Sequence, residues 1–113
     1  MINALKKELG CPDIPVLIGG LGDYLANFVS SPNIQEYYSK VNEILEELGK
    51  NTPNCAFVPA TGLGGNPDNL HFSAASLKEF GLRYYKAYET IEKADDNVSP
   101  VNETTERSAI ELL

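Results

Sequence analysis

The sequence contains one histidine, two cysteines and no tryptophan in 113 residues. One histidine and two distant cysteines, Cys11 and Cys55, cannot supply a four-ligand structural zinc site, so no metal and no cofactor are expected. Neither cysteine sits in a CxxC pair, and both are expected as free, largely buried thiols of a reducing compartment. No run of about 18 apolar residues occurs, so no membrane span is expected. The first eight residues lack the apolar core of a signal peptide, which makes a cytoplasmic location the expectation. Basic residues are also sparse: nine Lys and Arg against sixteen Asp and Glu give a formal net charge of -7. An acidic surface repels phosphate backbones, and only Lys6 and Lys7 are adjacent, so no nucleic-acid partner is expected. Acid–base chemistry near neutral pH would therefore pass through His71.

Hydrophobic residues make up 42% of the chain, enough for a packed core and too many for a disordered one. Residues 1–9 read as the tail of a helix, ended by Gly10. Ile14–Ile18 and Cys55–Val58 are short apolar runs without polar alternation, the pattern of strands buried on both faces. Residues 21–29 read as a loop or short helix. Ser31-Pro32-Asn33 then opens a helix whose Ile34, Tyr38, Val41, Leu45 and Leu48 fall on one face, with Gly49 as its end. A Gly-, Pro- and Asn-rich loop spans residues 59–73, and Ser73 caps a helix over residues 74–92. Gly81 inside that helix predicts close packing. The order helix, strand, helix, strand, helix is that of parallel strands joined by helical crossovers. Residues 1–93 are thus expected to form a partial α/β domain, and residues 94–113 an acidic tail, disordered or helical over Glu103–Leu112. Two parallel strands leave both sheet edges open, which predicts a second copy or another chain as partner.

Chemistry is expected in the loop ahead of the last helix. Asp68 and His71 stand three apart there, so a turn lets the carboxylate reach the imidazole Nδ1 and leaves Nε2 free to take a proton. D-x-x-H is short and common, and on spacing alone a plain turn followed by a helix-entry histidine is the favoured reading. Gly20-Leu21-Gly22-Asp23-Tyr24-Leu25-Ala26 fits a G-x-G-x-x-x-A nucleotide pattern, but Asp23 would oppose a phosphate, and a strand-end loop at the sheet's carboxyl edge is the better reading. Ser73 and Ser76 are the serines nearest His71 in sequence, and both belong to the helix start rather than to a nucleophile elbow. The six tyrosines, Tyr24 among them, read as core or helix-surface aromatics.

Three stretches resemble a known family: Ile18-Gly19-Gly20-Leu21-Gly22-Asp23-Tyr24-Leu25, Phe57-Val58, and Asp68-Asn69-Leu70-His71-Phe72. They are similar to the C-terminal half of SGNH-hydrolase-type carbohydrate esterases, the sialate O-acetylesterase and acetylxylan-esterase-related group. The resemblance covers residues 12–92. It implies a partial three-layer α/β/α sandwich and deacetylation of O-acetylated carbohydrate by a Ser-His-Asp triad. His71 and Asp68 match the family's base and acid, and Gly20, Leu21 and Gly22 would line the substrate cleft. The family's nucleophile lies in a Gly-Gln-Ser block that this sequence does not contain. The resemblance therefore implies a truncated esterase, inactive alone, whose nucleophile and oxyanion donors come from another chain or region. The alternative is a non-catalytic α/β remnant that persists as an oligomeric or partner-binding module.

Overall fold

A computed structural model describes residues 1–98. Its elements are helix α1 (Ile2–Glu8), strand β1 (Val16–Gly19), a 3-10 turn (Asp23–Asn27), helix α2 (Pro32–Asn51), strand β2 (Cys55–Val58) and helix α3 (Ala74–Val98). The order is the expected one. Gly10 ends α1 with a positive φ of 68°, and the Cys11 amide donates back to the Lys6 carbonyl at 2.9 Å, the closure that a left-handed glycine permits. Helix α3 continues six residues beyond the expected 92. The remainder of the expected acidic tail, with the short helix over Glu103–Leu112, lies outside the described residues.

The strands pair in parallel, Val16 opposite Cys55 through Gly19 opposite Val58. Side chains alternate across this ribbon, so each face receives one helix. On one face Leu17 and Val58 join Ala60, Leu63, Phe72, Phe80, Tyr84 and Ala87 beneath α3. On the other, Phe57 packs under α2. The result is an α/β fold of three layers, a partial α/β/α sandwich with two parallel strands. Both strands are only half-buried apart from Val58, and Ile14 is exposed, so the expectation of strands buried on both faces is not met. Two strands are too narrow a sheet for one helix per face to seal.

Two glycines behave differently from expectation. Gly49 does not end α2, which runs on to Asn51; Gly49 is buried, and a Cβ there would stand 2.7 Å from the Phe57 backbone nitrogen. Helix α2 comes close to the β2 backbone there. Gly81 was expected at such a point and is not: a Cβ there would meet nothing within 4 Å. Cys11 and Cys55 are free, but Cys11 is exposed rather than buried, because it lies in the surface turn after α1.

Candidate active site: an acid–histidine pair beside an apolar cleft

The loops that follow β1 and β2 lie together at the carboxyl edge of the sheet, where ligands of parallel α/β proteins sit. The loop after β2 is folded back on itself. Gly65 and Phe72 form an antiparallel bridge, the Asn66 amide donates to the His71 carbonyl at 2.8 Å, and Asn69 takes a positive φ of 54° at the tip. Ser73 caps α3: its Oγ accepts from the Ser76 amide at 3.2 Å. Its hydroxyl donates to the Ser76 Oγ at 3.0 Å, and the buried Ser76 Oγ accepts from the Gly64 amide at 2.7 Å. One serine pair thus joins the helix start to the base of the loop.

Within this loop the structure brings Asp68 and His71 together. The Asp68 Oδ2 lies 2.7 Å from the His71 Nδ1. Its other oxygen, Oδ1, accepts from the backbone amides of Leu70 at 2.9 Å and His71 at 3.1 Å. The turn and the carboxylate–imidazole contact, alternatives at the level of spacing, are made by the two oxygens of one carboxylate. The His71 hydrogen bond, followed by the two amides, pulls the Asp68 carboxyl down to about 2 from its ordinary 3.8. The imidazole side chain is 70% exposed, and among the described residues nothing hydrogen-bonds its Nε2.

The loop after β1 faces the pair. Gly20 is buried, donates its amide to the Val58 carbonyl at 2.9 Å, and has Phe57 where a Cβ would go. Leu21 and Gly22 line a cleft of about 460 Å³ together with His71. Of the three glycine-loop positions expected at the cleft, Leu21 and Gly22 therefore reach it, and Gly20 supports it from behind. The G-x-G-x-x-x-A pattern opens only a five-residue 3-10 turn, and Asp23 accepts the Gly62 amide at 3.1 Å, which leaves no phosphate-binding helix start.

Other residues of the site carried no signal in the sequence. Asn42 of α2 grips Leu21 by both backbone groups, its Oδ1 accepting from the Leu21 amide at 2.7 Å and its Nδ2 donating to the Leu21 carbonyl at 2.9 Å. Arg83 of α3 donates from Nη1 to the carbonyls of Pro59 and Thr61, each at 2.9 Å, and pins the start of the second loop. Tyr24, expected as a core or helix-surface aromatic, stands edge-on to Phe72 with ring centroids 5.2 Å apart and forms part of the cleft. Burial and then the Asp68 charge raise its hydroxyl above the ordinary value, so it stays a neutral donor. A larger groove of about 630 Å³ runs between α2 and the outer edge of β2 and includes neither Asp68 nor His71.

Two parallel strands between helical layers thus present a carboxylate-held histidine in the loop at their carboxyl edge. A family model described as carbohydrate esterase, sialic acid-specific acetylesterase, matches residues 1–90. The chain belongs to that carbohydrate esterase family. The match begins at residue 1 and so takes in α1, which the resemblance over residues 12–92 left out. A comparison with curated proteins gives no match.

Proposed function

We propose that this chain is the acid–base portion of a carbohydrate O-acetylesterase. His71 acts as general base and then as general acid, and Asp68 holds it in place. The Asp68–His71 contact of 2.7 Å, with Nε2 left unengaged, is the observation that carries this reading. An Nδ1–H held by Asp68 puts the imidazole lone pair on Nε2, where it can accept the proton of a serine hydroxyl attacking an acetyl carbonyl. The same proton then passes to the departing sugar oxygen. The serine comes from another chain or region. Ser73 and Ser76, the nearest in sequence, have their hydroxyls committed to each other, to the α3 cap and to Gly64, which supports this assignment.

The test is reconstitution. Addition of a chain bearing the family's Gly-Gln-Ser block should restore hydrolysis of an O-acetylated sugar. His71→Ala should then lower the restored rate at least about a hundredfold, the low end of what a positioned base contributes. A second reading is a non-catalytic module that covers its edges with a second copy; the two half-buried strands with open edges favour it. That reading predicts a stable homo-oligomer by size measurement in solution and no restored hydrolysis.

A further inference from the structure

We propose that the outer edge of β1, with an apolar helix flank on either side of it, is the docking face for the part that supplies the serine, and that this part arrives as a strand parallel to β1 between two helices of its own. It rests on the reading of His71 as the base, and it names the partner and the face for that base. The two edges of the sheet are unlike. Val16 and Gly20 donate to the carbonyls of Asn54 and Val58, so the alternate residues Leu17 and Gly19 turn their amides and carbonyls outward, where no described strand pairs with them. Beside this edge Tyr37, Val41 and Ile44 recur along one flank of α2, and Leu77, Tyr85 and Tyr88 along one flank of α3. All six side chains are between 40% and 64% exposed. Leu21, two residues past the end of β1, shares one hollow with Tyr37 and Val41 and another with Leu77, which sets both flanks on the β1 side. The opposite flanks face β2 and are polar: Arg83 reaches the loop after it, and Ser39, Glu43, Glu46 and Lys50 line the groove along its edge.

Six such side chains present on the order of 600 Å², before the strand edge between them is counted, against about 800 Å² per partner in a stable interface. A lone strand would cover the edge and leave both flanks in water, whereas a strand between two helices covers all three. Gly81 lies among Leu77, Tyr85 and Tyr88, and a Cβ there would meet nothing within 4 Å of this chain, so the partner's helix can come closest at that point. The direction follows from the site. A strand parallel to β1, about 4.8 Å away, ends beside Leu21 and Gly22 and delivers its following loop at the carboxyl edge that holds His71. A second copy paired about a two-fold axis would run antiparallel, place its amino-end turn there instead, and bring together two chains of net charge -7.

The probe is the segment bearing the Gly-Gln-Ser block of an intact member of the esterase family, expressed as a separate polypeptide together with the whole 113-residue chain and purified by a tag on the segment. The two should co-purify one to one. Amide hydrogen exchange should slow at least about tenfold at Leu17 and Gly19 in the complex and stay unchanged at Cys55 and Phe57, whose amides face the β2 side. Gly81→Ala favours the chain alone by removing a helix-interior glycine. It should nonetheless weaken the complex at least about fivefold, because its methyl stands where the partner's helix packs. Glu43→Lys, on the β2 side of α2, should leave the complex unchanged. Absence of a co-purified complex overturns the proposal, as does a complex in which Leu17 and Gly19 exchange as before or one that Gly81→Ala leaves equally tight. So does protection of Leu17 and Gly19 in the chain alone that grows with its concentration, because a second copy then holds the edge. Failure here is distinct from failure of the reconstitution: restored hydrolysis with Leu17 and Gly19 unprotected removes the docking face alone, and a complex protected at Leu17 and Gly19 without hydrolysis removes the esterase reading alone.

Discussion

Asp68 has two carboxylate oxygens and divides them between folding and chemistry. Oδ1 closes the turn on two amides, and Oδ2 meets the imidazole. Its carboxyl is held near 2 instead of 3.8, so the folded chain keeps it ionised where the unfolded chain has taken up a proton. The sign follows from that: the contribution to stability is complete above the ordinary value and is lost as pH falls through about 2. A carboxyl NMR titration should find the Asp68 midpoint near 2. His71→Ala should move it part of the way back, because the amides of Leu70 and His71 remain. A midpoint at the ordinary value in the intact chain would contradict the pairing. The pair was legible in the sequence because Asp68-Asn69-Leu70-His71-Phe72 resembles a family block; the three-residue spacing permits the contact but alone favours a plain turn. Asn42 and Arg83 were not, because they reach 21 and 22 to 24 residues along the chain to backbone groups, and a backbone acceptor leaves no mark in the sequence.

At the scale of elements, apolar runs and helix signals were enough to place the two strands and three helices of the described residues. What they could not show is which glycine touches something. Gly49 stands four residues beyond Leu45, looks like a stop, and is in fact where α2 meets the backbone of β2. Gly81 looks like a contact and faces open space. The pair makes an internal comparison. Alanine in a helix interior is favoured over glycine by roughly 1 kcal/mol. Gly81→Ala should therefore stabilise the chain by about that amount in urea unfolding. At Gly49 the same gain is set against a Cβ forced onto the Phe57 nitrogen, an overpacking that costs about 1–3 kcal/mol, so Gly49→Ala should destabilise. Equal effects at the two positions would contradict the assigned packing.

At the scale of the molecule, the two helices cover the faces of a sheet too narrow to bury its own strands. Large apolar side chains stay exposed around it, among them Ile44 at 64%, Leu82 at 53% and Tyr85 at 60%. The parallel α/β class was readable from element order, since parallel strands require crossovers, and the three layers from the family resemblance; the degree of burial was not, since a local apolar run reads the same in a sealed sheet and an open one. The same incompleteness governs the proposed chemistry. His71 is oriented, yet its imidazole stands mostly in water, where the charge stabilisation an acyl transfer needs is weakest. The account therefore predicts a chain with an acid–base pair and no nucleophile of its own. Its most direct test is aryl acetate hydrolysis by the purified chain alone, followed from the first turnover. The predicted result is a rate no higher than that of free imidazole at the same concentration, with no burst. A burst of one aryl alcohol per chain followed by steady turnover, abolished by His71→Ala, would place an acyl-enzyme on one of the chain's own serines and contradict it.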